Sequence, residues 1–537
     1  MRRLGAILRT EHPQLLAHLQ ALRSPASFRA SFLLPSPPPG NPLRATRMAP
    51  RLWSQLVASG ATVPVPKPRR RPFSCALRLV ADRKAEGTAR VIFPVVALNS
   101  ACRPPPPTPT PRLHHLLEGV LRHRLVVTAD AKGWFFALRV PAAVAAVFFA
   151  LYREGKWYGA ARGLLGWRWM PYLMASVALV LLTVAVRRAM VAATPFVWID
   201  NFVVGVDSPA AGRAVLDNLH RLAEHVGATL HEVTPPATKA RVVGTEVDLS
   251  AGTWRLSSAW AEGFIAYAAL RDTARRLPLR ELWRLMGATS WATYAAQLPQ
   301  VWQAPLLDHA AAVAKDFQAG RVGLDAVVPY PRVVRDCVRA AATYAGVNPW
   351  RRFGGSFGRP VFTDAAGDGG VGILVPSSRG RYREVAERVH DPPHINSLEL
   401  LAAARGLSLS SPRPGSTTQI IVDNAAAAYQ LASWSARAAL SRTTLRGVAE
   451  WAARRGVAVD PLLIPTAHQP ADGPSRALRA GSRTFAFEPR DSAAHAYRTR
   501  RDRAAIVILP PGWHRPVPRS MFRRVLERSL GGLRVPA

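Results

Sequence analysis

The 537-residue sequence is poor in three things, and each scarcity excludes something. Cysteine is the first: Cys75, Cys102 and Cys337 stand far apart, in no metal-ligand spacing. They supply neither a disulfide framework nor a zinc site, and they point to a reducing compartment. Acidic residues are the second: 34 Asp and Glu face 71 Lys and Arg, a formal net charge of +37. Such an excess selects polyanionic partners, nucleic acid ahead of anionic membrane, with a coding bias toward Arg as the bland alternative. Long apolar runs are the third. "VPAAVAAVFFALY" (140–152) is too short to cross a bilayer, and "PYLMASVALVLLTVAV" (171–186) falls short of the usual span. Both suit core helices, and no membrane partner is expected.

What is present divides into segments. Hydrophobic content of 49% over this length suits two to four globular domains. Residues 1–72 hold twelve Arg and Lys against one acid, Glu11, with proline clusters at 36–43 and 63–72. That composition reads as a basic disordered arm or a targeting segment. From 73 to 257 short β-type runs alternate with helical ones. Residues 258–345 carry helical apolar spacing. Over 346–485 β-type runs return among Ala-rich helices, and 486–537 is a basic tail. No internal repeat is visible. The fold class expected is α+β multidomain.

One apolar run, "TPFVWIDNFVVG" (194–205), carries a carboxylate in its centre, Asp200, followed by Asn201. An unpaired charge in a buried strand is costly, so something must neutralise it. Upstream, "LVVTADAKGWFFALRV" ends an apolar strand on Asp130, with Phe135 five residues later. Between them "GLLGWRWMP" places Gly166 before an apolar helix. Asp130 and Asp200 are 70 positions apart (200 − 130), and Gly166 precedes Asp200 by 34 (200 − 166).

In that order these segments resemble the palm of a reverse transcriptase. The family has a metal-binding Asp followed by an aromatic, then Gly-Trp-x-x-x-Pro, then an aromatic-x-Asp-Asp hairpin. "ARVIFPVVALN" resembles its fingers segment, with Arg90 and Asn99 at the matching positions and Arg83 or Lys84 as a looser second basic residue. "ARVVGTEVDLSAGTWRLS" (240–257) resembles the primer-grip hairpin, and the helices after it a thumb and connection. The resemblance spans about 75–345 and implies a right-hand polymerase of fingers, palm and thumb. It implies that Asp130 and Asp200 hold two divalent ions, Mg2+ or Mn2+, for in-line phosphoryl transfer. Phe135 would lie beneath the incoming sugar, Gly166 would admit backbone beside the nucleotide, and Arg90 would clamp phosphates. Asn201 departs from the family, which has a second Asp there. An amide leaves the polymerase weakened or inactive.

A second set follows. Asp364 enters a Gly-rich turn, Glu399 lies in "HINSLELLAAARGL", Asp423 ends "TTQIIVDN", and Asp472 lies in "PADGPSR". The intervals are 35, 24 and 49 (399 − 364, 423 − 399, 472 − 423). Glu399 also fits a helix-capping box, Asp423 a strand-ending turn, and Asp368 a simple turn position. The order and spacing resemble ribonuclease H, whose Asp-Glu-Asp-Asp set holds two ions around one scissile phosphate. This implies an α/β domain with a mixed sheet. His468, four before Asp472, is either a loop histidine or a proton carrier.

Together the two resemblances imply the polymerase and ribonuclease H part of a retroelement polyprotein. The wording "PADGPSR" and "GWRWMPY" is nearest the tyrosine-recombinase (DIRS-like) class. The partners implied are an RNA template, a DNA primer, RNA–DNA hybrid and dNTPs. There is no aspartic-protease signature and no zinc-binding integrase module, so a recombinase or integrase is expected to be encoded elsewhere. A nuclear or cytoplasmic location is expected, or an organellar one from the Arg-rich start. The alternative is a decayed or domesticated scaffold that binds RNA or hybrid without catalysis.

Overall fold

Four strands position the first carboxylates. In the computed structural model, which describes residues 2–37, 46, 48–68, 78–81, 89–92, 95–163, 166–477, 480–500 and 502–509, the chain divides into two units. One comprises residues 1–112 and 119–243, the other 113–118 and 244–537. The boundary expected after 257 thus falls instead at Val243–Gly244. The hairpin Thr245–Asp248 with Thr253–Leu256 belongs with the helices that follow it.

In the first unit, β1 (Leu125–Lys132), β2 (Ala193–Trp198), β3 (Asn201–Val206) and β4 (Thr229–Ala237) form an antiparallel sheet in the order β2-β3-β1-β4. Strand β1 alternates apolar with polar residues from Thr128 to Lys132, whereas β3 is apolar and buried nearly throughout, as its central place in the sheet allows. The sheet is covered by two helices, α1 (Met170–Ala189) and α2 (Pro209–His225). Helix α1 is long and apolar enough to span a membrane, yet two thirds of its apolar window is buried inside this unit. Leu173, Ala178, Leu181 and Leu182 are fully enclosed, which is how a core helix is used.

The arm expected over 1–72 is a correction. Residues Arg2–Glu11, Pro13–Ala21, Pro25–Phe32 and Pro50–Ala58 are helices. Phe28 and Phe32, one helical turn apart, are completely buried. Phe28 stacks on Phe148 at 4.2 Å between ring centroids and on Trp167 at 5.5 Å. Phe32 meets Trp169 edge-on at 4.8 Å. Glu11 pairs with Arg187 at the end of α1. Apolar burial of this size outweighs the bias that basic and proline-rich composition sets toward disorder.

The second unit holds helices Ser258–Ala269, Leu279–Ala295, Ala304–Gln318 and Arg332–Val347, the region expected to be helical. It also holds a six-stranded mixed sheet. Its strands are β5 (Val361–Ala365), β6 (Gly370–Pro376), β7 (Arg381–Arg388), β8 (Thr417–Val422), β9 (Ala458–Leu463) and β10 (Gly481–Ala486). The order is β9-β8-β5-β6-β7-β10. Strands β5, β8 and β9 run parallel, and β5, β6, β7 and β10 are antiparallel. Helix α3 (Ile395–Leu409) packs on the sheet. This is the mixed-sheet α/β domain expected of a ribonuclease H-like fold. Strand β10 lies at the end of the segment expected over 346–485, and part of the expected tail packs into this unit. The guanidinium of Arg351, fully buried, donates to the carbonyls of Ile506 and Ile508. Residues 510–537 lie outside the described residues.

Candidate functional site

In the second unit, Asp364 stands on β5 near its carboxyl end, Asp423 just past the end of β8, and Glu399 in the first turns of α3. Strands β5 and β8 are parallel neighbours, with Val361 opposite Ile420 and Phe362 opposite Ile421. Two residues further along, the same offset brings Asp364 beside Asp423. One oxygen from each of Asp364, Glu399 and Asp423 lies within 4.8 Å of the others. Glu399 is not a cap: helix α3 starts at Ile395, and the His394 ring accepts from the Asn396 N–H. Glu399 is 96% buried, with Oε2 enclosed and without a hydrogen-bond partner. Burial, then the charges of Asp364 and Asp423, push Glu399 up to about 9. Asp364 is raised too, by burial first and then by Asp423 and Asp472, against a hydrogen bond from Ser475 that lowers it. Three hard oxygen donors, one orphaned, fit a divalent cation such as Mg2+, which carboxylates hold readily.

Asp472 is near but separate from this trio. Its carboxylate accepts two hydrogen bonds from Arg476, at 2.7 and 2.9 Å. Ser475, completely buried, links the two places: its hydroxyl lies within hydrogen-bond reach of both Asp364 Oδ2 and the Asp472 carbonyl. Asp368 is a turn residue as expected, accepting from the Gly370 N–H and paired with Arg388. The His468 ring stacks on His495, centroids 3.7 Å apart.

In the first unit Asp130 sits on β1, opposite Asn201 of β3 and His231 of β4. Asp200 occupies the two-residue turn between β2 and β3, preceded by Ile199 at a left-handed φ of 60°. Its carboxylate accepts a hydrogen bond from the Asn201 side chain at 3.0 Å. Asp130 is raised by burial first and by the charge of Asp200 second, so the two carboxylates face one another electrostatically. The trio of ligand atoms that comes within 4.8 Å on this sheet is Asp130, His231 and Glu232. Asp130 Oδ1 is enclosed and without a hydrogen-bond partner. His231 and Glu232 escaped the sequence reading because neighbours on a strand point to opposite faces.

Around this sheet, Phe135 lies half-buried in the short helix Trp134–Ala137. Gly166, at φ 107°, holds a backbone that other residues rarely adopt. Asn99 secures that turn, donating to the Gly166 carbonyl at 2.7 Å and accepting from the Arg168 N–H at 2.8 Å. Gly163 was not anticipated: a Cβ there would fall 1.9 Å from the Phe135 carbonyl oxygen, so only glycine fits. Arg90 lies on strand Ala89–Ile92, its backbone paired with Val80; nothing beyond that backbone is described. Arg83 and Lys84 lie outside the described residues.

No protein-family model matches this chain, and no curated protein does. Among solved structures, the chain is similar to a foamy viral protease-reverse transcriptase (dRH) in complex with double-stranded DNA, at 12% identity and TM-score 0.46, covering 80% of this chain and 72% of that one. The foamy viral protease-reverse transcriptase with RNA/DNA hybrid is similar at 12% identity and TM-score 0.47, over 80% of this chain and 56% of that one. The same protein in complex with dsDNA shows 13% identity and TM-score 0.45, over 83% and 92%. Likeness at this level carries no residue role from one chain to the other.

Proposed function

We propose that this chain is an RNA-directed DNA polymerase with ribonuclease H activity, encoded by a retroelement of the DIRS-like class. Its substrates are then RNA template, DNA primer, dNTPs and RNA–DNA hybrid. The observation that carries the reading is the convergence of Asp364, Glu399 and Asp423, 59 positions from first to last (423 − 364), around an orphaned carboxylate oxygen. Divalent ions, when bound, polarise the scissile phosphate and lower the pKa of an attacking water. The residues of the chain do the rest. Asp364 and Asp423, fixed at the ends of adjacent parallel strands, set the spacing of the donors. Glu399 reaches them from α3 and must lose its proton to act as a ligand. Ser475 orients Asp364. The basic surface attracts the phosphate backbone of a hybrid, with an affinity that falls steeply as salt rises.

The test uses the full chain with a labelled RNA–DNA hybrid and Mg2+ or Mn2+, alongside primer extension on poly-rA. Cleavage of the RNA strand that disappears in Asp364→Asn supports the nuclease half. Extension that disappears in Asp130→Asn supports the polymerase half. Equal activity in wild type and variant removes the corresponding half.

One observation favours a second reading, a binding scaffold without polymerase chemistry. The Asn201 amide occupies an oxygen that Asp200 would otherwise offer to an ion. A chain that binds hybrid tightly and extends no primer under any divalent metal is that scaffold.

A further inference from the structure

Strand β4 does not pair evenly with β1. Opposite Thr128 stands Thr234, and opposite Asp130 stands His231, so three steps on β4 match two on β1. The extra residue is a β-bulge, a device that re-aims side chains beside functional sites. Glu232 lies within it at a left-handed φ of 47°. In an even strand Glu232 would face away from His231. Here both bring a ligand atom within 4.8 Å of Asp130. His231 Nε2 is 3.7 Å from Asp130 Oδ2, beyond a good hydrogen bond, and Asp130 Oδ1 has no hydrogen-bond partner at all.

We infer that Asp130, His231 and Glu232 form a binding site for an imidazole-accepting divalent transition metal, Mn2+ or Zn2+, in preference to Mg2+. The donor set decides the class of ion. Mg2+ takes oxygen ligands in a demanding octahedron, whereas Mn2+ and Zn2+ accept a neutral imidazole beside carboxylates. The second unit provides the contrast, since its trio is all oxygen. The site rests on the polymerase reading only in placing the ion beside Asp200; the trio itself follows from the bulge. The ligands thus come from β4 where the β2–β3 turn, with Asp200 bound by Asn201, supplies less.

The experiment loads the full chain with Mn2+ and reads pulsed EPR for modulation by a directly bound 14N. Calorimetric titration with Mn2+ and with Mg2+ accompanies it. Wild type should show the nitrogen modulation. His231→Gln should lose it and bind Mn2+ about tenfold more weakly or worse. His231→Asp keeps a ligand but no nitrogen, so it should lose the modulation and shift preference toward Mg2+ even if the Gln form folds poorly. His468→Gln should leave the modulation in place. No modulation in wild type, or modulation unchanged in His231→Asp, overturns the inference. Primer extension separates the two claims. Modulation without extension under any metal keeps the ion site and removes the polymerase reading. Extension with Mg2+ but without modulation does the reverse.

Discussion

The Asn201 side chain donates a hydrogen bond to the carboxylate of Asp200, 3.0 Å away, at the tip of the β2–β3 hairpin. The amide therefore acts on its neighbour as a donor, a role that a deprotonated aspartate cannot fill. Asn201→Asp removes this donor and adds a third negative charge near Asp130. Without metal the variant should melt below wild type, and Mg2+ should restore more stability to it than to wild type. Thermal melts with and without Mg2+ check the first expectation. Primer extension with Mg2+ against Mn2+ checks the second, a shift of preference toward Mg2+.

Glu399→Gln preserves the shape of a side chain buried inside α3's contact with the sheet and removes its charge. Hybrid cleavage should fall by roughly a hundredfold or more, because a metal ligand is lost. Metal-free wild type and variant should melt alike at about pH 4, and at neutral pH the variant should melt higher, because Glu399 keeps its proton in the fold and loses it on unfolding. Cleavage assays paired with melts separate this from simple unfolding.

The pH dependence has a definite sign. Glu399 is raised from 4.5 to about 9 by burial and by Asp364 and Asp423. A carboxyl raised in the folded state contributes stability that is full below its unfolded pKa and is lost as pH climbs through the folded one. The metal-free protein should therefore lose stability across roughly pH 5–9, and Glu399→Gln should show a flatter curve. Mg2+ binding must displace that proton, so its affinity should rise over the same window. Melting temperatures at several pH values, with and without Mg2+, read both slopes.

Phe28→Ala should destabilise the first unit by about 3–5 kcal/mol, the usual cost of emptying a buried aromatic site. Its ring is wedged among Phe32, Phe148, Phe149 and Trp167. Denaturant unfolding measures the loss. An arm outside the core would show no change.

How much of this was legible in the sequence differs by residue. Asp364 and Asp423 could be read because each ends or nearly ends a strand, where an apolar run stops on a carboxylate. Glu399 had two readings, cap or ligand, and only its burial separates them. His231 and Glu232 were hidden because strand alternation sends adjacent residues apart, and a bulge leaves little trace in composition. The N-terminal helices were hidden for another reason. Prolines 13, 25 and 50 start helices, where a missing N–H costs nothing, yet in a basic segment they suggest disorder. Helix α1 could be read as apolar, but its burial needed the sheet beneath it.

The parallel pairing of β5 with β8 has an evolutionary consequence. Asp364 and Asp423 face each other because both lie two residues past the last recorded pair, Phe362 with Ile421. The loops that join β6, β7 and α3 between these two strands can lengthen or shorten, since they only have to return the chain to the next element. A single-residue insertion or deletion inside 417–422 is different. It shifts the frame of the strand by one step and turns Asp423 to the opposite face. Homologues of this chain should therefore differ in length in the connections and keep the length of these two strands constant.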